Sequence, residues 1–254
     1  MTPIEEEFNL PFGPADVEWA RLYVAPYIGH MQNNYSLNTT VEFDGGCGFD
    51  TLGIEIMDTN YVYPMGSGAD GTIWFDDHFN RVTSDCLIWY DVTDEIKSSS
   101  VTARVQTHPV GTPPVFDGRV KMIALVVAYN DPSSGDTIHY WVNQGHDTDS
   151  VLTDTNGYPY IGETNFDTTG ITADEATLTA IYLGSYNANY EFNNVTLPWA
   201  NPQIGQYLGA QEWFVTNDIN SSGVSTMTFD RNTTTGGPYS GYFKIPLALL
   251  TVTE

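Results

Sequence analysis

The sequence predicts an all-β protein: two tandem, homologous β-sandwiches of jelly-roll-like or immunoglobulin-like type, produced by internal duplication. Three observations carry that expectation. Helical periodicity is nearly absent, while short alternating or β-branched runs recur along the chain. Clusters of Gly, Pro, Asn, Asp and Ser separate those runs. Blocks of the first half also return, in the same order, in the second.

Taken in chain order, Ile4 to Leu10 is a candidate strand at the N-terminal edge. Trp19 to Ala25 alternates, with Ala20, Leu22 and Val24 on one face and Trp19, Arg21 and Tyr23 on the other. Val92-Thr-Asp-Glu-Ile96 reads as one helical turn. Thr93 is its expected cap, Asp94 and Glu95 sit at its positive end, and Ile96 points into the core. Val101, Ala103 and Val105 alternate with Thr102 and Arg104. Val120 to Tyr129 is apolar on both faces apart from Lys121, as expected of a central strand covered on each side. Asn-Asp-Pro at 130–132, Ser-Ser-Gly at 133–135, Asn-Gly at 156–157 and Gly-Gly-Pro at 236–238 mark turns. The C-terminal segment Phe243 to Val252 is again strand-like.

The repeat aligns Val17–Tyr27 with Ala176–Tyr186 and Glu42-Phe43-Asp44 with Glu191-Phe192-Asn193. It also aligns Val92–Ile96 with Val215–Ile219, where Thr216 and Asp218 take the same roles, and Val101 with Val224. The same offset sets Lys121 against Lys244, and Phe8-Asn-Leu resembles Phe166-Asp-Thr. The expected domains are 1–131 and 132–254. The first carries an insertion at about 46–88, with the two cysteines, Cys47 and Cys86, at its ends. A bridge between them would close a loop of about 40 residues and restrict the unfolded chain by roughly 4 kcal/mol. A disulfide stapling the insertion is therefore expected, in an oxidising compartment; two separate buried thiols are the alternative.

The chain has 254 residues, 32 acidic against 8 basic side chains and a formal charge of −24. Nucleic acid is excluded as a partner, because phosphate contacts need Lys and Arg. No apolar run is long enough for a membrane span, and the N-terminus shows no signal segment. With Lys scarce and Thr, Ser, Asn, Gly and Tyr abundant, the composition fits an exported chain whose signal has been removed, at the cell surface or outside the cell.

No serine-nucleophile elbow, zinc-protease helix, P-loop or dinucleotide fingerprint occurs, so no enzyme and no cofactor is expected. Asp76-Asp77-His78 could contribute to a metal site but reads more simply as a solvated loop. Calcium is the one structural ion to consider. Asp147, Asp149, Asp154 and Asn156 gather oxygens within a short span, although a polar turn with Asx caps is the simpler reading. Trp74, Trp141 and Trp199, with Tyr61, Tyr63, Tyr158 and Tyr160, could stack on sugar rings or simply fill cores. Asn34, Asn38, Asn194, Asn220 and Asn232 stand in Asn-x-Ser/Thr sequons and are glycosylation candidates if the chain is exported.

Trp19-Ala-Arg-Leu-Tyr-Val24, Trp89-Tyr-Asp-Val-Thr93, Phe116-Asp-Gly-Arg119 and Tyr140-Trp-Val-Asn-Gln-Gly145 together resemble a domain family of methanogenic archaeal cell-surface proteins. The resemblance covers roughly residues 8 to 252. That family has no established biochemical function. It implies an exported envelope protein of surface-layer or sheath type and carries over no catalytic residue. The expected function is a structural, self-associating subunit of an archaeal envelope, sheath or filament, with copies of itself as partners and its edge strands as the means. The alternative is a secreted carbohydrate-binding or adhesion module whose partners are surface glycans.

Overall fold

A computed structural model describes residues 2–29, 35–57, 72–82, 85–145, 148–149, 161–183, 188–198, 208–231 and 243–254. The chain is all-β and forms two compact units, the first ending at Ser134 and the second running Gly135–Glu254.

Unit 1 contains β1 (Ile4–Asn9), β2 (Val17–Pro26), β3 (Leu37–Asp44), β4 (Phe49–Met57), β5 (Thr72–Asp76), β6 (Phe79–Val82), β7 (Asp85–Asp91), β8 (Ser100–Pro109) and β9 (Val120–Tyr129). They build two antiparallel sheets, ordered β1-β8-β3-β4 and β5-β6-β7-β2-β9. The alternation read from the sequence sets the faces. Ala20, Leu22 and Val24 of β2 meet Val41 and Phe43 of β3 and Val101, Ala103 and Val105 of β8 in one core. A second cluster, around Ile28, Leu37, Met57, Phe79, Cys86 and Ile88, fills the other end. Each such buried aliphatic or aromatic side chain is worth about 1.5–3 kcal/mol relative to exposure.

Unit 2 contains β10 (Ile138–Gln144), β11 (Thr148–Asp149), β12 (Ile161–Asp167), β13 (Glu175–Leu183), β14 (Ala188–Phe192), β15 (Val195–Thr196), β16 (Leu208–Phe214), β17 (Val224–Arg231), β18 (Phe243–Lys244) and β19 (Leu247–Thr253). Its sheets run β12-β17-β14-β15 and β10-β19-β13-β16, with a separate β11-β18 pair. The first of these has the order of β1-β8-β3-β4. Within the second, β16-β13-β19 has the order of β7-β2-β9.

The registers give the correspondence residue by residue. Leu22 lies between Tyr90 and Leu125, as Leu178 lies between Trp213 and Leu250. Phe43 faces Ala103, as Phe192 faces Met227. Single 3-10 turns occupy Thr93–Glu95 and Thr216–Asp218, where the sequence placed them.

Several expectations need correction. Tyr23 corresponds in register to Thr179, not Tyr182, so the strand alignment was displaced by three residues. An odd displacement exchanges the two faces of a strand, and period-two patterning cannot detect it locally. Leu125 and Leu250 correspond, so Lys121 matches Pro246 rather than Lys244, which instead sits in β18. Val101 faces Phe8 whereas Ser225 faces Phe166, so the counterpart of Val101 is Ser225 and not Val224. The second loop is one residue longer.

Among the described residues β9 is not a central strand but an edge of its sheet, while β19 is paired on both sides. The threonines do not cap their turns either. The cap positions are Val92 and Val215, without side-chain capping, and the Thr93 amide is held by Asp91 Oδ1 at 3.0 Å.

The structure shows no disulfide between the two cysteines: Cys47 is exposed and Cys86 is buried. Cys86 Sγ contacts Met57 Sδ at 3.5 Å, and Met57 pairs with Leu37 at one end of the β3–β4 hairpin. Cys47 lies in the turn beyond Asp44, at the other end. The intervening length of β3 separates the thiols by roughly 23 Å at about 3.3 Å per residue, far beyond bridging distance. The turn itself is set by Asp44, whose Oδ1 accepts the amides of Gly46 (2.7 Å) and Gly48 (2.9 Å), both at positive φ.

Candidate functional site

Among the described residues, one group of metal-ligating side chains converges: Glu55, Asp76 and His78, whose ligand atoms all lie within 4.8 Å of one another. They arrive from both sheets of unit 1. Glu55 is on β4, while Asp76 ends β5 and His78 sits in the tight β5–β6 turn. Asp76 Oδ1 accepts the His78 amide at 3.0 Å, which folds the turn and places the ring. The imidazole Nε2 then lies 3.1 Å from Glu55 Oε1, and Nδ1 lies 2.9 Å from Asp76 Oδ1 and 3.3 Å from Asp77 Oδ1.

Tyr90 on β7 completes the arrangement. Its hydroxyl donates to Glu55 Oε1 at 2.6 Å, and its ring stands 5.3 Å from that of His78. Gly53 makes this reach possible, because a Cβ there would lie 2.3 Å from the Tyr90 hydroxyl. Burial decides the roles: Glu55 is 15% exposed at its side chain, His78 33% and Asp76 45%.

The electrostatics follow. Burial disfavours the charged ring, but hydrogen bonds to Glu55 and Asp77 and the charges of Glu55 and Asp76 outweigh it, so His78 titrates above its ordinary value. The Tyr90 phenol is pushed far up, first by burial and then by its bond to Glu55 and the nearby carboxylates. A mixed set of one imidazole and several carboxylates can hold a proton between strands or take a cation in its place.

Residues 1–253 match the family described as a protein of unknown function, DUF3344. The chain belongs to that family. No curated protein matches the DUF3344 chain. Among solved structures, it is similar to a β-porphyranase of glycoside hydrolase family 86 from the human gut bacterium Bacteroides plebeius. That likeness has 9% identity and a TM-score of 0.30, over 95% of this chain and 37% of that one. It is also similar to the ANXUR2 extracellular domain from Arabidopsis thaliana, at 10% identity and TM-score 0.30 over 99% and 81% of the two chains. A chain of the T13 IBDV viral particle is similar at 12% identity and TM-score 0.28, over 94% and 56%. Likenesses this distant decide nothing about function.

The site of this DUF3344 chain was half legible in the sequence. Asp76-Asp77-His78 is visible as a local motif that fits a metal site or, more simply, a solvated loop. Glu55 and Tyr90 were not visible, because only the pairing of strands far apart in the chain brings them there.

Of the calcium candidates, Asp147, Asp154 and Asn156 lie outside the described residues, and Asp149 is described only through its backbone pairing with Phe243. Among the sequons, Asn34 and Asn232 also lie outside. Asn38 is inside the β3 ladder, between His108 and Ile56. The Asn220 side chain is spent within its turn, bonding Val224 O and Ser222. Asn194, exposed at a positive-φ turn, is the sequon best presented. Of the sugar-platform aromatics, Trp141 packs against the unit 2 core, and Tyr61, Tyr63, Tyr158, Tyr160 and Trp199 lie outside the described residues. Trp74 is described only through the backbone of β5.

Proposed function

We propose that this chain is a structural subunit of an archaeal cell envelope, exported to the cell surface, that associates with copies of itself. The observation that carries this reading is the apolar surface each unit leaves uncovered. On unit 2, Tyr140 faces Thr251, Thr251 faces Thr177 and Thr177 faces Phe214, so one row crosses the sheet. This row lies on the face opposite buried Leu178 and Leu250, and Phe214 is 81% exposed. Ile138, also exposed, extends the patch. On unit 1, Ile54 and Ile56 are 57% and 61% exposed on β4, an edge strand among the described residues.

Exposed large apolar side chains on one sheet face mark interaction surfaces, and an open edge can extend a neighbour's sheet. The most exposed of these side chains, Phe214, Ile56 and Ile54, carry no hydrogen-bonding group for sugar hydroxyls, which favours a protein partner. Two different surfaces on one chain also favour a head-to-tail contact, which continues into a polymer when the rotation does not close. The matching strand orders of the two units support reading them as an internal duplication. The resemblance to methanogen surface domains supports the envelope setting.

Light scattering after size exclusion, with negative-stain microscopy, tests the reading across a salt series. Large oligomers or polymers are expected, strengthening with salt as the repulsion of a −24 chain is screened. Phe214→Asp or the pair Ile54→Lys and Ile56→Lys should abolish them. A monomer at every salt concentration overturns the proposal, and its retention on an immobilised polysaccharide would support the adhesion reading instead.

A further inference from the structure

We propose that Glu55, Asp76 and His78 bind a divalent transition-metal cation, of the zinc or manganese class, which ties the β5–β6 turn to β4. Three carboxylates, from Glu55, Asp76 and Asp77, surround one imidazole, so the group stays negative even with the ring protonated. The Glu55 carboxylate carries much of this excess from a largely buried position. A buried carboxylate is costly unless a cation or several donors meet it. A dication removes the excess, which a single proton does not.

Glu55 Oε1 and His78 Nε2 stand 3.1 Å apart. Two ligands on a tetrahedral ion, with bonds of about 2.0–2.2 Å, stand about 3.3 Å apart. The pair therefore accepts an ion without movement of either strand. Asp76, the most exposed of the three, supplies the third ligand from where it stands, since the three ligand atoms already lie within 4.8 Å of one another.

Tyr90 donates to the same Glu55 oxygen from a strand of the opposite sheet, which fixes the carboxylate as partners beyond the ligands do in metal centres. One nitrogen donor among few oxygens selects against calcium, which takes six to eight oxygens. This site differs in residues and in ion class from the calcium candidate Asp147, Asp149, Asp154 and Asn156. It also goes beyond self-association, because binding is read on dilute, monomeric protein.

The experiment is calorimetric titration of metal-free protein with zinc, manganese and calcium chlorides. It uses a Cys47→Ser background, so that the exposed thiol does not compete. One equivalent of zinc or manganese should bind with a raised melting temperature, and calcium should not. Cobalt in place of zinc should show the visible bands of a low-symmetry nitrogen–oxygen site. Asp76→Asn, at an exposed position, should weaken binding at least tenfold, and His78→Gln should abolish it. Tyr90→Phe should weaken it by about 10–100-fold as a positioning residue. Absence of saturable zinc or manganese binding overturns the proposal, as does unchanged affinity in Asp76→Asn or in a folded His78→Gln protein.

Discussion

The hydroxyl of Thr93 accepts a hydrogen bond from the amide of Ala20, across 73 residues of sequence, at 2.9 Å. Unit 2 repeats the bond: Thr216 Oγ1 accepts the Ala176 amide, also at 2.9 Å. In each unit the return bond joins the residue before the threonine, with the Val92 amide donating to Ala20 O at 3.0 Å and Val215 to Ala176 O at 2.9 Å. The 3-10 turn is thus stitched to the start of the central strand and continues its ladder where β7 and β16 end. Thr93→Val keeps the shape and removes the acceptor, leaving a strand amide without a partner. A loss of about 1–3 kcal/mol is expected. Thr216→Val should do the same in unit 2, while Thr93→Ser should restore most of the loss. Urea unfolding measures this; an unchanged midpoint in Thr93→Val would show that the bond carries no stability.

These turns show what sequence could and could not say. Val92–Ile96 and Val215–Ile219 stood out because a Thr and acidic residues between buried aliphatics are chemically distinctive, and Phe43 with Phe192 aligned for the same reason. Strands offered less. Trp19–Ala25 and Ala176–Leu183 each alternate, and any displacement leaves a plausible alternation, so only the pairing partners decided the register. The apolar residues of β9 suggested a covered strand, yet burial alone does not tell an edge from a centre. Glu55 meets His78 because β4 and the β5–β6 turn are brought together across the sandwich, and nothing local to Glu55 announces it.

A buried ion pair offers a second test. Lys121 Nζ lies 2.8 Å from Asp85 Oδ1 with side chains only 8% and 5% exposed, and the ammonium sits 4.6 Å from the centre of the Tyr27 ring. Lys121→Met alone strands a buried carboxylate and should cost about 3–5 kcal/mol. Combining it with Asp85→Leu should recover most of that loss, since apolar groups of similar volume need no partner. A double-mutant cycle by denaturant unfolding measures the coupling. A double variant whose loss equals the sum of the two single losses would mean that the pair is not energetically coupled.

Two separate thiols make a direct prediction. Cys47 is exposed in its turn and Cys86 is buried against Met57. Without reductant, iodoacetamide should modify one cysteine quickly, and peptide mapping should find it at Cys47. Cys86 should react only when unit 1 opens, so its rate should rise in denaturant. If neither reacts until a reductant is added, the cysteines are bridged and the separation of the hairpin ends is wrong.

Acid should act through the carboxylates that organise turns. The amides of Gly46 and Gly48 hold Asp44 below the ordinary carboxylate value. In unit 2, the hydroxyl and amide of Thr169 do the same for Asp167. Both pKa values are lower folded than unfolded. Each contribution to stability is therefore complete above the unfolded value, about 3.9, and disappears as pH falls through the folded value. Stability should be flat from about pH 7 to 5 on this account and should fall below about pH 4. Asp44→Asn and Asp167→Asn keep an acceptor oxygen but carry no titrating charge, so each should flatten the acid limb. Melting temperature followed from pH 5 to pH 2.5 measures the effect. A variant whose acid limb stays as steep as that of the parent would show that its turn does not couple folding to protons.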